Sequence, residues 1–440
     1  MRNPHVCMCN SRSKIWMDYA SRPKMVEGHC LASFNPHHSF SMARCFLGIY
    51  IRRNEIIEDV QISIMEETHT ILLTMLLVLI VLPAPTNQEI VTFTAWLKKQ
   101  PTNSSNDEGC IKKDPTLATA EGTRVHNTID PTTELNPEDG YYKTISEAIN
   151  NIPEGNAKRY VLTVKGGTVF REKILLQKTK PFVTIKSDDP GNPAVIVWND
   201  TATTIGKDGK PLGVDGSSTV TIESDYFIAY GVIFKNDAPL PKPGASIGEA
   251  PALRVLGTKT TFYNCSIDGG QGALYDQQGL HYFKACTIKG TIDFIFGSAK
   301  SLYEDCNIIS TNKEVVPGPE APSKQSSPSN PIQVTPGESG FSFKTCHITG
   351  EGERIYLGRV GTPAIYSYTT MSKEIAPIVS DQGNVQMPVR GLYCAVFKCY
   401  GPGLEPMAAI RLTYAEAMPF IGTHFVSGGS WILSLPPADE

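Results

Sequence analysis

Four stretches of the chain share one pattern of apolar and polar positions. Residues 262–267 read FYNCSI, 282–288 YFKACTI, 302–308 LYEDCNI and 343–348 FKTCHI. Each runs from an aromatic residue through a short polar step to a cysteine, one further residue and an isoleucine. The cysteines Cys265, Cys286, Cys306 and Cys346 are spaced by 21, 20 and 40 residues, the last twice twenty. A period near 20 is too short for the helical repeats of about 33 residues or more. Each unit offers only short strand-like runs broken by Gly, Asn or Asp. A unit of that size cannot bury its own apolar face, so the units must stack. The pattern predicts an all-β parallel β-helix, one strand of each coil pairing with the next and Cys, Ile and Phe side chains lining the interior.

Earlier segments extend the pattern: YVLTVKGG (160–167), FVTIKS (182–187), STVTIES (218–224) and FIAYGVIFKN (227–236). The stretch YKTISEAINNIP (142–153) has a different period. Ile145, Ala148, Ile149 and Ile152 fall on one face of a helix, which would cap the open N-terminal end of the stack. Residues 314–339, rich in Pro, Ser and Gly, read as a surface loop inserted between coils. Residues 415–432 read as a helix and a last hydrophobic segment that packs back on the coils. The stacked cysteines are expected as free buried thiols, because side chains in register point the same way.

Composition narrows the class. With 440 residues, 41% hydrophobic and 19% charged, the chain has the make-up of a soluble globular protein. A net charge of -4 gives no basic signature, so no nucleic-acid partner is expected. The first 110 residues break the pattern. They hold Cys7, Cys9, Cys30, Cys45 and Cys110 without a repeat, and their spacing fits no zinc site. Residues 71–82, ILLTMLLVLIVL, are too short for a membrane span of about 20 residues and suit the apolar core of a secretory signal. Such a signal would begin at Met65, although its acidic start is atypical. A buried helix or a membrane anchor is the alternative. The expected division is an unstructured or gene-model extension over 1–64, a signal-like segment over 65–86, a linker over 87–113 and one domain over 114–440. Asn103, Asn199 and Asn264 lie in N-x-S/T sequences, acceptors for glycosylation in a secreted chain.

One residue resists the β-helix pattern. Asp293 sits among Ile292, Phe294, Ile295 and Phe296, where an unpaired carboxylate would be costly if buried. Alternation along a strand would put Ile292, Phe294 and Phe296 on one face, with Asp293 and Ile295 on the other, so that Asp293 points outward into a groove. A solvated surface aspartate would satisfy the same local pattern.

The segment IKGTIDFIFG (288–297) resembles the active-site signature of plant pectinesterases at every position. The resemblance runs from about Asp114 to the C-terminus, through DGYYKTISEAI (139–149), FREK (170–173), APALRVLG (250–257), GLHYFKAC (279–286), YLGR (356–359), YGPG (400–403) and GGSWI (428–432). The APALR wording is similar to that of a subgroup that includes pollen allergens. It implies a right-handed single-stranded parallel β-helix with short capping helices. It further implies that Asp293 is the nucleophile that attacks the methyl ester of galacturonate, that Arg359 keeps it ionised, and that Gln271 donates to the oxyanion. Glu249 and Arg359 would contact substrate, and neither metal nor organic cofactor is implied. The implied partner is methyl-esterified homogalacturonan, acted on by a secreted, cell-wall monomer with no stable membrane span.

Several positions depart from that resemblance. The family's acid/base aspartate falls on Gly272, which can transfer no proton, and a family glutamine falls on Glu249. The family's tryptophan after Arg359 is missing from RVGTPAIYSY, and IQVTPG (332–337) replaces another familiar strand. A general acid is worth about 10² to 10⁴ in rate, so impaired catalysis is expected, with an open space beside Gly272. Glu249 or Asp276 is the substitute carboxylate to test. The alternative is a non-catalytic cell-wall protein that keeps the pectin groove. A polygalacturonase or pectate lyase would need an acidic or calcium-binding cluster near Asp293, which the sequence does not offer.

Overall fold

The computed structural model describes residues 114–122, 124–240, 248–311, 339–351, 355–357, 364–376, 394–404 and 410–433. The expectations for residues 1–113, Asn103 and the leader cysteines included, lie outside the described residues, as do Arg359 and all of the 314–339 insertion except Ser339.

The 20-residue sequence period becomes one turn of a right-handed parallel β-helix. Successive coils feed strands into sheets of 12, 8 and 5 strands, and the paired strands within them run parallel. A further two-stranded pair joins Ile355–Tyr356 to Ile375–Ala376. Because the coils repeat in register, like residues stack. Phe262 pairs with Phe283, Phe283 with Tyr303, Tyr303 with Phe343, and Phe343 with Tyr366. Their rings lie face to face with centroids 4.7, 4.7, 4.6 and 4.8 Å apart. Such pairs add about 0.5–1.5 kcal/mol each beyond the area they bury. On the second sheet Ile267, Ile288, Ile308 and Ile348 form the matching aliphatic column.

The corner between these two sheets explains the cysteines. Asn264, Ala285, Asp305 and Thr345, each just before a cysteine, have φ of 49°, 54°, 55° and 51°. A left-handed residue costs roughly 1–2 kcal/mol. The stack holds it in place: each corner N–H donates to a carbonyl of the following coil, Asn264 to Lys284, Ala285 to Glu304 and Asp305 to Lys344. The small side chain that follows turns inward. Cys265, Cys286, Cys306 and Cys346 are free and buried, as expected. The Cys286, Cys306 and Cys346 thiols point at the carbonyls of Phe262, Phe283 and Tyr303 in the preceding coil, which suits a compact apolar side chain with a weak donor.

The predicted helix forms over Ile145–Asn150, started by a Thr144–Glu147 capping box, and buries Ile145, Ala148 and Ile149. The C-terminal segment packs back as expected. A short helix at Tyr414–Ala417 and three 3₁₀ turns lay Phe420, Phe425, Val426 and Trp431 on the outer face of the first sheet, against Tyr263, Tyr282 and Leu302. The N-terminal edge joins this layer: Asp114 N–H donates to the Ser430 carbonyl, 3.0 Å. The Asp114 carboxylate accepts from Lys259 and from the Tyr226 hydroxyl. Those bonds hold it well below the usual carboxylate range, the Lys259 bond most and the Tyr226 bond next.

Inside the coils lies a carboxyl group whose burial the sequence does not reveal. Asp276 is fully buried and bonded to His281 Nδ1 and, at 2.6 Å, to the Tyr303 hydroxyl. The other His281 nitrogen donates to the Gly257 carbonyl, 2.8 Å. Asp276 is therefore a core residue tied from within, which removes it as one of the two carboxylates that could stand in for the acid.

Candidate active site

Asp293 stands where a strand gives way to a bend. The chain leaves the strand Thr287–Gly290, turns through residues 291–294, and re-enters the third sheet at Ile295–Phe296. Asp293 has a left-handed φ of 47° and an exposed side chain. The bend overturns the expected alternation. Phe294 and Ile295 pack against the main core, Ile292 is 46% exposed, and Phe296 stacks on Tyr275 with centroids 4.3 Å apart. The carboxylate thus escapes burial because the backbone turns there. Gly290 makes the turn possible: a Cβ at that position would run into the Phe294 side chain.

The same loop position in earlier coils carries the other candidates. Gly272 N–H donates to the Ile292 carbonyl, 3.0 Å, and Thr291 N–H to the Gly270 carbonyl, 3.1 Å. Ala250 N–H donates to the Gln271 carbonyl, 2.9 Å. These bonds bring three successive loops side by side, carrying Glu249, then Gln271 and Gly272, then Asp293. Gln271 and Glu249 are both half-buried. The Glu249 carbonyl is itself held by Ala202 N–H at 2.8 Å and the Ser217 hydroxyl at 3.4 Å.

The space beside Gly272 is not open. Gly272 has φ of 69°, and a Cβ there would meet Phe296 Cε1 at 3.1 Å and Glu249 Cβ and Cγ at 3.2 Å each. The volume expected to be empty is filled by the Glu249 side chain and the Phe296 ring.

Next to the loops, the outer face of the third sheet carries a column that sequence reasoning missed. Arg254, Tyr275 and Phe296 pair in register. The Arg254 guanidinium lies 5.6 Å from the centre of the Tyr275 ring. It is fixed by Gln277 at 2.7 Å and by Asp215, through the carbonyl at 2.7 Å and the carboxylate at 3.1 Å. The Tyr275 phenol is pushed up by burial first and then by the negative charge of Asp215 and of Glu249, against Arg254. The signal was present in the numbering: 254, 275 and 296 follow the same 21-residue step as Cys265 and Cys286.

Among the described residues no group of three or more His, Cys, Asp or Glu side chains is arranged to hold a metal ion. No described helix is long and apolar enough to cross a membrane.

The coil stack defines the class as a right-handed parallel β-helix protein, and comparison with known proteins narrows it. The pectinesterase family model matches residues 135–428. A pectinesterase of Arabidopsis thaliana named QRT1 is 35% identical over 297 residues, covering 66% of this chain and 75% of its own. Pectinesterase 1 of Olea europaea is 35% identical over 337 residues, covering 74% and 84%. The chain belongs to the pectinesterase family, whose members are carboxylic ester hydrolases. Two solved structures share its fold. One is a pectin methylesterase in complex with a hexasaccharide, with TM-score 0.55, 23% identity and coverage of 70% of this chain and 98% of that one. The other is pectin methylesterase from carrot, with TM-score 0.53, 24% identity and coverage of 70% and 94%.

Proposed function

We propose that the protein removes methyl esters from cell-wall pectin, with Asp293 as nucleophile. The observation that carries this reading is the alignment of three loops, which sets Asp293 beside Gln271 and Glu249 on an outward ledge next to the Arg254–Tyr275–Phe296 column. An exposed carboxylate on a rigid coil is open to an ester carbonyl that it can attack. Gln271 supplies an amide donor for the oxyanion, and Arg359 of the YLGR segment supplies the cation that keeps Asp293 charged. The half-buried Phe296 ring gives a sugar ring an apolar edge to meet. Methyl-esterified homogalacturonan is the substrate, no cofactor takes part, and the protein acts as a secreted monomer in the cell wall, its leader removed after the segment at 71–82.

Gly272 itself brings no proton-transferring group to this ledge; unless another residue carries the proton, turnover is reduced. A second reading follows from that residue: a wall-associated protein that binds pectin and does not turn it over. Methanol release from methyl-esterified homogalacturonan by the purified chain separates the two. Release that scales with enzyme supports the esterase; pectin binding with no methanol supports the other.

A further inference from the structure

We infer that Glu249 is the proton carrier of this site, acting from the coil before the one that holds Gln271 and Gly272. The inference rests on the reading of Asp293 as nucleophile, and the geometry around Gly272 supplies the rest. A carboxylate that attacks a methyl ester leaves methoxide to depart, which is far too basic to leave without a proton. Gly272 is bonded through its N–H to Ile292, the neighbour of Asp293, so the space beside its Cα adjoins the nucleophile. That space holds the Glu249 stem, whose Cβ and Cγ lie 3.2 Å from the point where a side chain at 272 would begin. From Cγ the carboxyl group extends one bond further, so its carbon is within about two bonds of the atoms that line this space.

The position is also fixed. The Glu249 carbonyl is bonded to Ala202 and Ser217, and the next N–H to Gln271, so the carboxyl moves on a short tether. The Phe296 ring, which lines the same space beside Gly272 as the Glu249 stem, stacks on Tyr275 and lies three residues past Asp293. The neighbouring carboxylates are committed elsewhere. Asp276 is locked in the core by His281 and Tyr303, and Asp268 faces Lys235 on the second sheet at 4.0 Å.

The proton balance closes with these groups alone. An Asp293 oxygen bonds to the ester carbon. As the tetrahedral adduct collapses, the carbon–methoxy bond breaks, the oxygen takes the proton of the Glu249 carboxyl, and methanol leaves an acyl-Asp293 anhydride. The Glu249 carboxylate then takes a proton from water, whose oxygen attacks the acyl carbon and releases Asp293.

The test uses the full chain, with Glu249→Gln and Asp293→Asn, on a methyl-esterified oligogalacturonate and on its trifluoroethyl ester. Trifluoroethoxide departs far more readily without a proton. Glu249→Gln should lower methanol release by about 10² to 10⁴ while the single-turnover burst of trifluoroethanol stays within about tenfold of the unaltered chain. Asp293→Asn should lose both. Equal losses on the two esters would assign Glu249 a structural role and overturn the inference. So would undiminished methanol release by Glu249→Gln, or no release by the unaltered chain. Survival of both activities in Asp293→Asn would instead remove the nucleophile, whatever Glu249 does.

Discussion

Glu249 and Gly272 share one volume: the Glu249 Cβ and Cγ lie 3.2 Å from where a Cβ on Gly272 would stand. The two positions are therefore coupled. Gly272→Asp alone forces an L side chain into φ of 69° and against both Glu249 and Phe296. It should cost about 1–2 kcal/mol of stability and give little gain in methanol release. Gly272→Asp with Glu249→Ala frees the volume and should exceed Gly272→Asp in rate by tenfold or more. Urea denaturation and a methanol assay of the single and double variants check the coupling; additive effects of the two changes would refute it.

The aromatic column predicts a core cost. Phe283 is stacked on both sides, by Phe262 and Tyr303. Phe283→Ala should lose about 3–5 kcal/mol, read as a lower denaturation midpoint at unchanged slope. A loss under about 1 kcal/mol would mean that the coils close over the gap.

Much of this architecture was legible because the coil period is written in residue types. Cys265, Cys286, Cys306 and Cys346 repeat at a corner where a small inward side chain follows a left-handed residue. The candidate site was less legible. The signature around Asp293 marked the residue, yet alternation misassigned its neighbours, because Gly290 lets Phe294 fold over the backbone and the chain bends instead of continuing a strand. The volume beside Gly272 was read as empty since sequence comparison counts side chains at one position, and the filling side chain belongs to the previous coil. Asp276 looked available four residues downstream of Gly272. Only the inward pairing with His281 and Tyr303 removes it.

That inward pairing gives its own prediction. Asp276→Ala would leave His281 Nδ1 and the Tyr303 hydroxyl buried without their partner. Breaking such a buried pair costs about 3–5 kcal/mol, and thermal melting of the variant measures it. Asp276→Ala with near-native stability would show that the pair contributes nothing net.

Asp114 predicts an acid-side dependence. Its folded pKa is depressed below 3.8 by Lys259 and Tyr226. A depressed carboxyl stabilises the fold above its unfolded pKa, and that contribution fades as pH falls through the folded value. The melting temperature of the unaltered chain should exceed that of Asp114→Asn at about pH 6, and the gap should narrow steadily below about pH 4. A gap that widens in acid would contradict the Lys259 pairing.

Methanol release from methyl-esterified homogalacturonan by the unaltered chain and by Asp293→Asn, at matched folded concentration, bears most directly on the nucleophile. Asp293 stands exposed in the bend that the other candidate loops adjoin. The unaltered chain should release methanol in proportion to enzyme, and Asp293→Asn should fall to the rate of the buffer. Equal release by the two would contradict an Asp293 nucleophile outright.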